Sequence, residues 1–517
     1  MKKLLFPLFA LIATFAFTAC GSDDNDTPSP KPDPTPTEAT LEAPSAEAAT
    51  LEYKYNATEN WRANSTADWF TVSPALGTSG AGTITIAVKE NLTNEAREAK
   101  FTLETVSSSK TFATITVKQP KREVTPGEDE NPDAPAGMKK NASFLLKQIV
   151  VGWNLGNTLE ATDEWSDEDG HHSGDGFSDY APNLDTEIKW QPDRTTQAMI
   201  TKVKEAGFNA VRIPVRWYRH ADANFNIHNE WMNRVKEVVD YAISQNMYVI
   251  LNSHHDNWYD RMATIPDEAD ILGKFGKMWT QIATAFKGYD EHLIFAAVNE
   301  VIEDSNGPWY KDGEKWPWYN GTAITNGPNT TQQKLFDNML QTFVDNVRAT
   351  GGNNAWRNLM FQPWAASTAI AQYGTVNIPT DKVANRLIFE FHCYDPYNYC
   401  TAKSQHTVAE SDKASIRTLL KNVNDRFVAK GIPAIMAEFG SSLDVSNSAK
   451  NAEYDKTRAD YMEFIVSEAK QYNIPSFYWD NNAFKSGETF GLLDRASVSF
   501  DSRAQTALDG IMRGANK

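Results

Sequence analysis

The stretch FAAVNE, residues 295–300, runs apolar and then ends abruptly in an amide and a carboxylate. A parallel strand buried on both faces reads as a continuous hydrophobic run, and in a closed barrel the polar residues at its C-terminal end face the mouth where chemistry is done. Whether Asn299 and Glu300 mark such a mouth depends on how the other strands end. Working outward, seven further apolar runs fall at 149–154, 209–215, 247–252, 358–362, 386–391, 432–438 and 474–480. Amphipathic stretches such as TTQAMITKVKEAG and WMNRVKEVVDYAISQN lie between them, several ending at Gly or Asn as helices do. This alternation predicts an α/β fold, a (β/α)8 TIM barrel over residues 139–517.

The strand ends then line up. Asn154 closes the first run, Arg212 lies in the second, and the third leads into HHDNW with His254 and His255. Asn299 and Glu300 end the fourth, His392 and Tyr394 follow the sixth, Glu438 ends the seventh and Trp479 lies in the eighth. So many polar and aromatic groups at one mouth is the layout of an active site. Two carboxylates on opposite sides of a barrel mouth can flank a glycosidic bond, one giving a proton to the leaving oxygen while the other attacks the anomeric carbon. Arg212 and the Tyr394 hydroxyl could hold Glu438 as the ionised nucleophile, which leaves Glu300 as acid/base. Asn299 could donate to a sugar hydroxyl, and Trp479 offers an apolar floor for the ring. Trp217, Trp258 and Trp364 sit just past the second, third and fifth runs, where sugar-stacking platforms would lie or where core indoles would pack.

Two HH pairs, His171–His172 and His254–His255, invite a metal reading, but no set of three or four converging ligands is apparent; neither metal nor cofactor is expected. The chain has 517 residues, a formal net charge of −17 and no basic block, which argues against a nucleic-acid partner. Its 15 Trp lean towards carbohydrate. Cys393 and Cys400 could pair across a short loop or remain free thiols. The start, MKKLLFPLFALIATFAFTAC, has two lysines, a short apolar core and small residues before Cys20, the grammar of a signal peptide over residues 1–20. Residues 21–39, rich in Pro, Ser, Thr and Asp, read as a flexible tether.

Three resemblances add to these readings. The FTAC ending resembles a bacterial lipoprotein box, and SDDND behind it resembles the surface-export signal of Bacteroidetes lipoproteins; together they imply a lipid anchor on Cys20 and a place on the outer membrane, exposed at the cell surface, and the protein is expected to be a monomer. Residues 40–120 alternate apolar and polar in GTITIAV, AKFTLETV and TFATITVKQ, as strands of an immunoglobulin-like all-β sandwich do. With ADWFTVSP ahead of them, they resemble a BACON domain, whose Trp61 and Trp69 are either core or glycan-facing; residues 121–138 read as a linker. In the barrel, GWNLGNTLE, VRIPVRW, LNSHHDNW, VNE, FHCYDPY, AEFGS and FYWDN occur in an order that resembles glycoside hydrolase family 5. That resemblance implies a retaining hydrolase with Glu300 as acid/base and Glu438 as nucleophile. It lies closest to the endo-β-1,4-glucanases and xyloglucanases, with xylan or mannan as other backbones and a non-catalytic glycan-binding barrel as the contrasting class.

Overall fold

Eight parallel strands close into a barrel in the computed structural model, which describes residues 37–67, 69–89, 91, 96–121, 131, 133–162, 184–254, 256, 268–301 and 316–517. Cys20, His171, His172, His255 and Trp258 lie outside the described residues. The barrel strands are β1 (Gly152–Leu155), β2 (Ala210–Ile213), β3 (Tyr248–Asn252), β4 (Leu293–Ala296), β5 (Leu359–Phe361), β6 (Leu387–Cys393), β7 (Ala434–Phe439) and β8 (Ser476–Asp480). Each pairs in parallel with the next, and β8 returns to β1.

Alternation along each strand divides the barrel's two cores. Ala210, Ile250, Ile294, Ala296, Met360, Ile388, Ile435, Ala437 and Phe477 form one interior cluster. The residues between them, such as Val211, Leu251, Phe295, Phe389 and Met436, join the outer core packed on the helices. The short helix Ala142–Gln148 adds Ala142, Leu145 and Leu146 to the interior cluster and so closes the N-terminal end. Its start is fixed by Asn141, whose side chain accepts from the Phe144 amide at 2.9 Å.

The chain before that helix is tied down, so the linker expected over 121–138 ends earlier than its composition suggests. Met138 is fully buried, Arg386 donates to the carbonyls of Met138 and Lys140, and the Glu291 amide donates to the Gly137 carbonyl. These contacts make residues near 137–140 part of the barrel's base.

The chain separates into two compact units, the first drawn mainly from residues up to Gln119. This first unit has a five-stranded and a three-stranded sheet over a core that includes Trp61, Ile84, Phe101, Leu103 and Val117. Trp61 is fully buried with Tyr55 edge-on at 4.6 Å, and a Cβ on Gly77 would fall 2.4 Å from its ring, so this indole is core. The first strand, Thr37–Glu42, begins inside the stretch expected to be tether and pairs in parallel with Thr111–Gln119. Among the described residues no helix is long and apolar enough to cross a membrane.

Candidate active site

Each group at the mouth is aimed by a local feature of its strand. On β2, Arg212 shares the interior face with Ala210 and is fully buried. Asn154, on the neighbouring β1, accepts from Arg212 Nη1 at 3.0 Å and donates through Nδ2 to the carbonyls of Ala437, Phe477 and Tyr478 at 3.0–3.3 Å. It has no exposed surface, so it holds β1, β7, β8 and the guanidinium together and does not face substrate.

Simple alternation would put Ala437 inward and Glu438 outward. The register shows otherwise: Phe391 pairs with Met436 but His392 pairs with Glu438, so Ala437 is an extra residue in β7. This β-bulge turns Glu438 into the mouth as well, and the bulged carbonyl is one of those Asn154 satisfies. Past β4, the backbone of Glu300 sits at φ 42°, a left-handed conformation that a non-glycine residue adopts at a cost and that concentrates at functional sites.

Glu438 is held through both oxygens. Arg212 Nη1 donates to Oε1 at 2.6 Å and the Tyr394 hydroxyl to Oε2 at 2.9 Å. Removing one partner of such a buried ion pair costs about 3–5 kcal/mol. Burial first, then the charge of Glu438, pushes the Tyr394 hydroxyl well above its ordinary range, so it remains a donor at any working pH. Arg212 Nη2 donates to Asn299 Oδ1 at 2.6 Å, and Asn299 Nδ2 has no partner among the described residues, leaving a fixed donor for a ligand hydroxyl. Nδ1 of His392 lies 2.6 Å from Oε1 of Glu300 and 3.5 Å from Oε2 of Glu438. Burial drives this imidazole down to about 4, so it is neutral above that pH. Trp479, expected as an apolar floor, lies with its ring parallel to His254 at 5.7 Å. Gly156 lets it lie there, since a Cβ would come within 2.8 Å of the indole.

Not every expected residue faces this mouth. Trp217 is fully buried with its indole N–H on the Asn252 carbonyl, and Trp364 packs edge-on against Phe336. Both belong to the outer core and present no face for a sugar. Cys393 and Cys400 are buried free thiols. One feature escaped sequence reading: Glu390, buried two residues before His392, which looks like one polar step of an ordinary strand. The aromatic-rich stretch after the fourth run, readable in the sequence either as sugar subsites or as a self-packed flap, holds the hairpin Trp318–Tyr319/Ile324–Thr325, where Tyr319 stacks on Tyr373 at 4.1 Å and Trp318 is 52% exposed.

One ligand-type atom from each of Glu300, His392 and Glu438 lies within 4.8 Å of the others. Two carboxylates that close can act together on a single sugar carbon and its leaving oxygen. On a barrel of this kind they define a glycoside hydrolase. Comparison with known proteins narrows the class: residues 171–485 match the family described as cellulase (glycosyl hydrolase family 5), and the chain belongs to that family. Residues 59–120 match BACON, described as a putative N-terminal binding domain. Endoglucanase B of Ruminococcus albus is 35% identical over 360 residues, 69% of this chain and 76% of the relative. Endoglucanase A of Clostridium longisporum is 34% identical over 71% of this chain, which spans 64% of that relative's length. Among solved structures, a broad specificity endoglucanase from Ruminococcus champanellensis with bound cellotriose is 38% identical, with a TM-score of 0.60 over 72% of this chain and 98% of its own. A Bacteroides ovatus family 5 xyloglucanase in complex with a XXXG heptasaccharide is 27% identical, with a TM-score of 0.66 over 93% of this chain and 98% of its own.

Proposed function

We propose that this chain is an endo-acting hydrolase of β-1,4-linked glucan that retains anomeric configuration, with Glu438 as nucleophile and Glu300 as acid/base. The observation that carries the reading is the asymmetry of the pair: Glu438 is buried and clamped by Arg212 and Tyr394, while Glu300 is partly open to the mouth and close by. In the first step a Glu438 oxygen bonds to the anomeric carbon as the bond to the leaving oxygen breaks, and the proton of Glu300 passes to that oxygen. In the second, Glu300 takes a proton from water, the water oxygen bonds to the same carbon, and the bond to Glu438 breaks. Both carbon displacements occur on opposite faces, so configuration is restored. In this reading Asn299 Nδ2 donates to a sugar hydroxyl and Trp479 offers its ring face to the sugar.

Glucan is favoured because relatives from Clostridium longisporum and Ruminococcus albus, at 34–35% identity, are named endoglucanases. The likeness to a xyloglucanase supports a groove that admits decorated backbone. The reaction described uses two carboxylates and no resident metal, so turnover should survive a chelator. Initial rates on mixed-linkage glucan, xyloglucan, xylan and glucomannan test the assignment. The two glucan backbones should lead, and a clear preference for xylan or mannan would replace the substrate while leaving the mechanism. We further propose that Cys20 carries a lipid that holds the protein, as a monomer, on the outer membrane facing outward. Incorporation of a labelled fatty acid, lost in Cys20→Ala, and cleavage of the protein by protease added to whole cells would support this; a soluble, unlabelled product would end it.

A further inference from the structure

The inner face of β6 carries Ile388, Glu390 and His392 in succession, so Glu390 stands one layer beneath the catalytic floor. It is fully buried, and neither of its carboxylate oxygens has a hydrogen-bond partner among the described residues. On β5 the register Phe361–Phe389, carried one residue further, brings Gln362 level with it; that amide is buried too, with neither its oxygen nor its nitrogen partnered. Arg212 Nε, above them, is likewise unpartnered. An ionised carboxylate stripped of water and of donors is among the costliest groups to bury, whereas its protonated form is not. The titratable groups bearing on Glu390 are Arg212 on β2, Glu300 past β4, Glu438 on β7 and His392 on its own strand.

We propose that Glu390 is a positioning residue of the hydrolysis, held as a neutral carboxylic acid beneath the site so that the charge of Arg212 is balanced by one anion in the site at every stage, and that its ionisation slows turnover on the alkaline side. The inference rests on the double-displacement reading. In the resting enzyme the charges are Arg212 and ionised Glu438, with Glu300 protonated and His392 neutral. In the glycosyl-enzyme Glu438 is an uncharged ester, and the ionised group is Glu300. One cation faces one anion both times. Ionised Glu390 adds a second anion in each state, competing with Glu438 for the guanidinium and opposing proton release by Glu300. Burial raises Glu390 to about 7, with Arg212 pulling it down and Glu438 and Glu300 pushing it up, so this ionisation falls within the range an enzyme meets.

Glu390→Gln keeps the shape and fixes the neutral form. The ratio of kcat at about pH 8 to kcat at about pH 5.5 should be about 3- to 10-fold larger in the variant than in the wild type, the effect of a neighbouring like charge worth half to one pKa unit. The gain should appear in kcat more than in KM. A substrate-free readout stands beside it. The wild-type minus Glu390→Gln infrared difference should contain, at pH 5.5, one protonated-carboxyl stretch that vanishes as the pH is raised through about 7; the subtraction removes the bands of Glu160 and Asp256, which burial also raises. Glu390→Met, also neutral and of similar size, should give the same two results. Superimposable pH profiles, or no infrared difference, would overturn the proposal. So would failure of both variants to fold, because a carboxyl that is neutral in the native state tolerates neutral replacement. If the infrared band titrates as expected but the first product is inverted, the double-displacement reading falls and the neutral Glu390 stands.

Discussion

Glu438 is held from two sides, its two oxygens accepting from Arg212 on β2 and from Tyr394 just past β6. Glu438→Gln and Glu300→Gln should each lower kcat by about 10³-fold or more with the fold intact, because no nearby group can attack carbon or pass the proton in their place. Steady-state rates on a soluble glucan, with circular dichroism as the folding control, check this; near wild-type turnover in either variant would refute the roles. Tyr394→Phe removes one hydrogen bond to a carboxylate and nothing else, a loss of about 1.5–3 kcal/mol that should appear as about a 10- to 100-fold fall in kcat with KM changed little. An unchanged kcat would mean that Arg212 alone holds the nucleophile. At this scale Glu300, Glu438, Arg212, Asn299, His392 and Tyr394 were legible because a polar residue ending an apolar strand has few structural reasons to be there. Trp217 and Trp364 were less legible, because an indole just past a strand looks the same whether it faces the mouth or the wall. Asn154 was legible as a member of the cluster, but its job was not: its bonds go to carbonyls of strands about three hundred residues away.

Among the elements, β7 and its bulge make the site possible. The extra Ala437 lets Glu438 turn inward, and Asn154 on β1 fastens the bulged carbonyl. Asn154→Ala should leave the carbonyls of Ala437 and Phe477 and one bond of Arg212 unsatisfied, destabilising the barrel by about 1–3 kcal/mol and lowering kcat together with stability. Chemical denaturation and kinetics on the same preparation read both. A variant as stable as the wild type but slow would put Asn154 on the substrate instead. The eight strands were readable from their apolar runs, since a strand buried on both faces leaves few alternatives. The bulge was not, because MAEF carries no sign of which residue is extra. Nor was the strand Thr37–Glu42, whose composition suits a tether and whose partner, Thr111–Gln119, is remote in sequence.

Over the whole molecule, the two compact units each have their own core, and the chain of about residues 137–140 belongs to the base of the barrel. Deleting residues 21–130 should therefore leave kcat on a soluble substrate within about 2-fold, since separate cores fold separately. Deletion through Lys140 should instead destabilise the barrel by stripping Arg386 of its carbonyl partners. Equal loss in both truncations would show that the sandwich supports catalysis directly. The central claim, that Glu300 and Glu438 hydrolyse a β-glucan by two displacements at one carbon, meets its most direct test in the first product released. Proton NMR of a cello-oligosaccharide digest, recorded before mutarotation, should show the β-anomer of the new reducing end appearing first and the α-anomer only later. An α-anomer formed first would contradict the account, whatever the variants do.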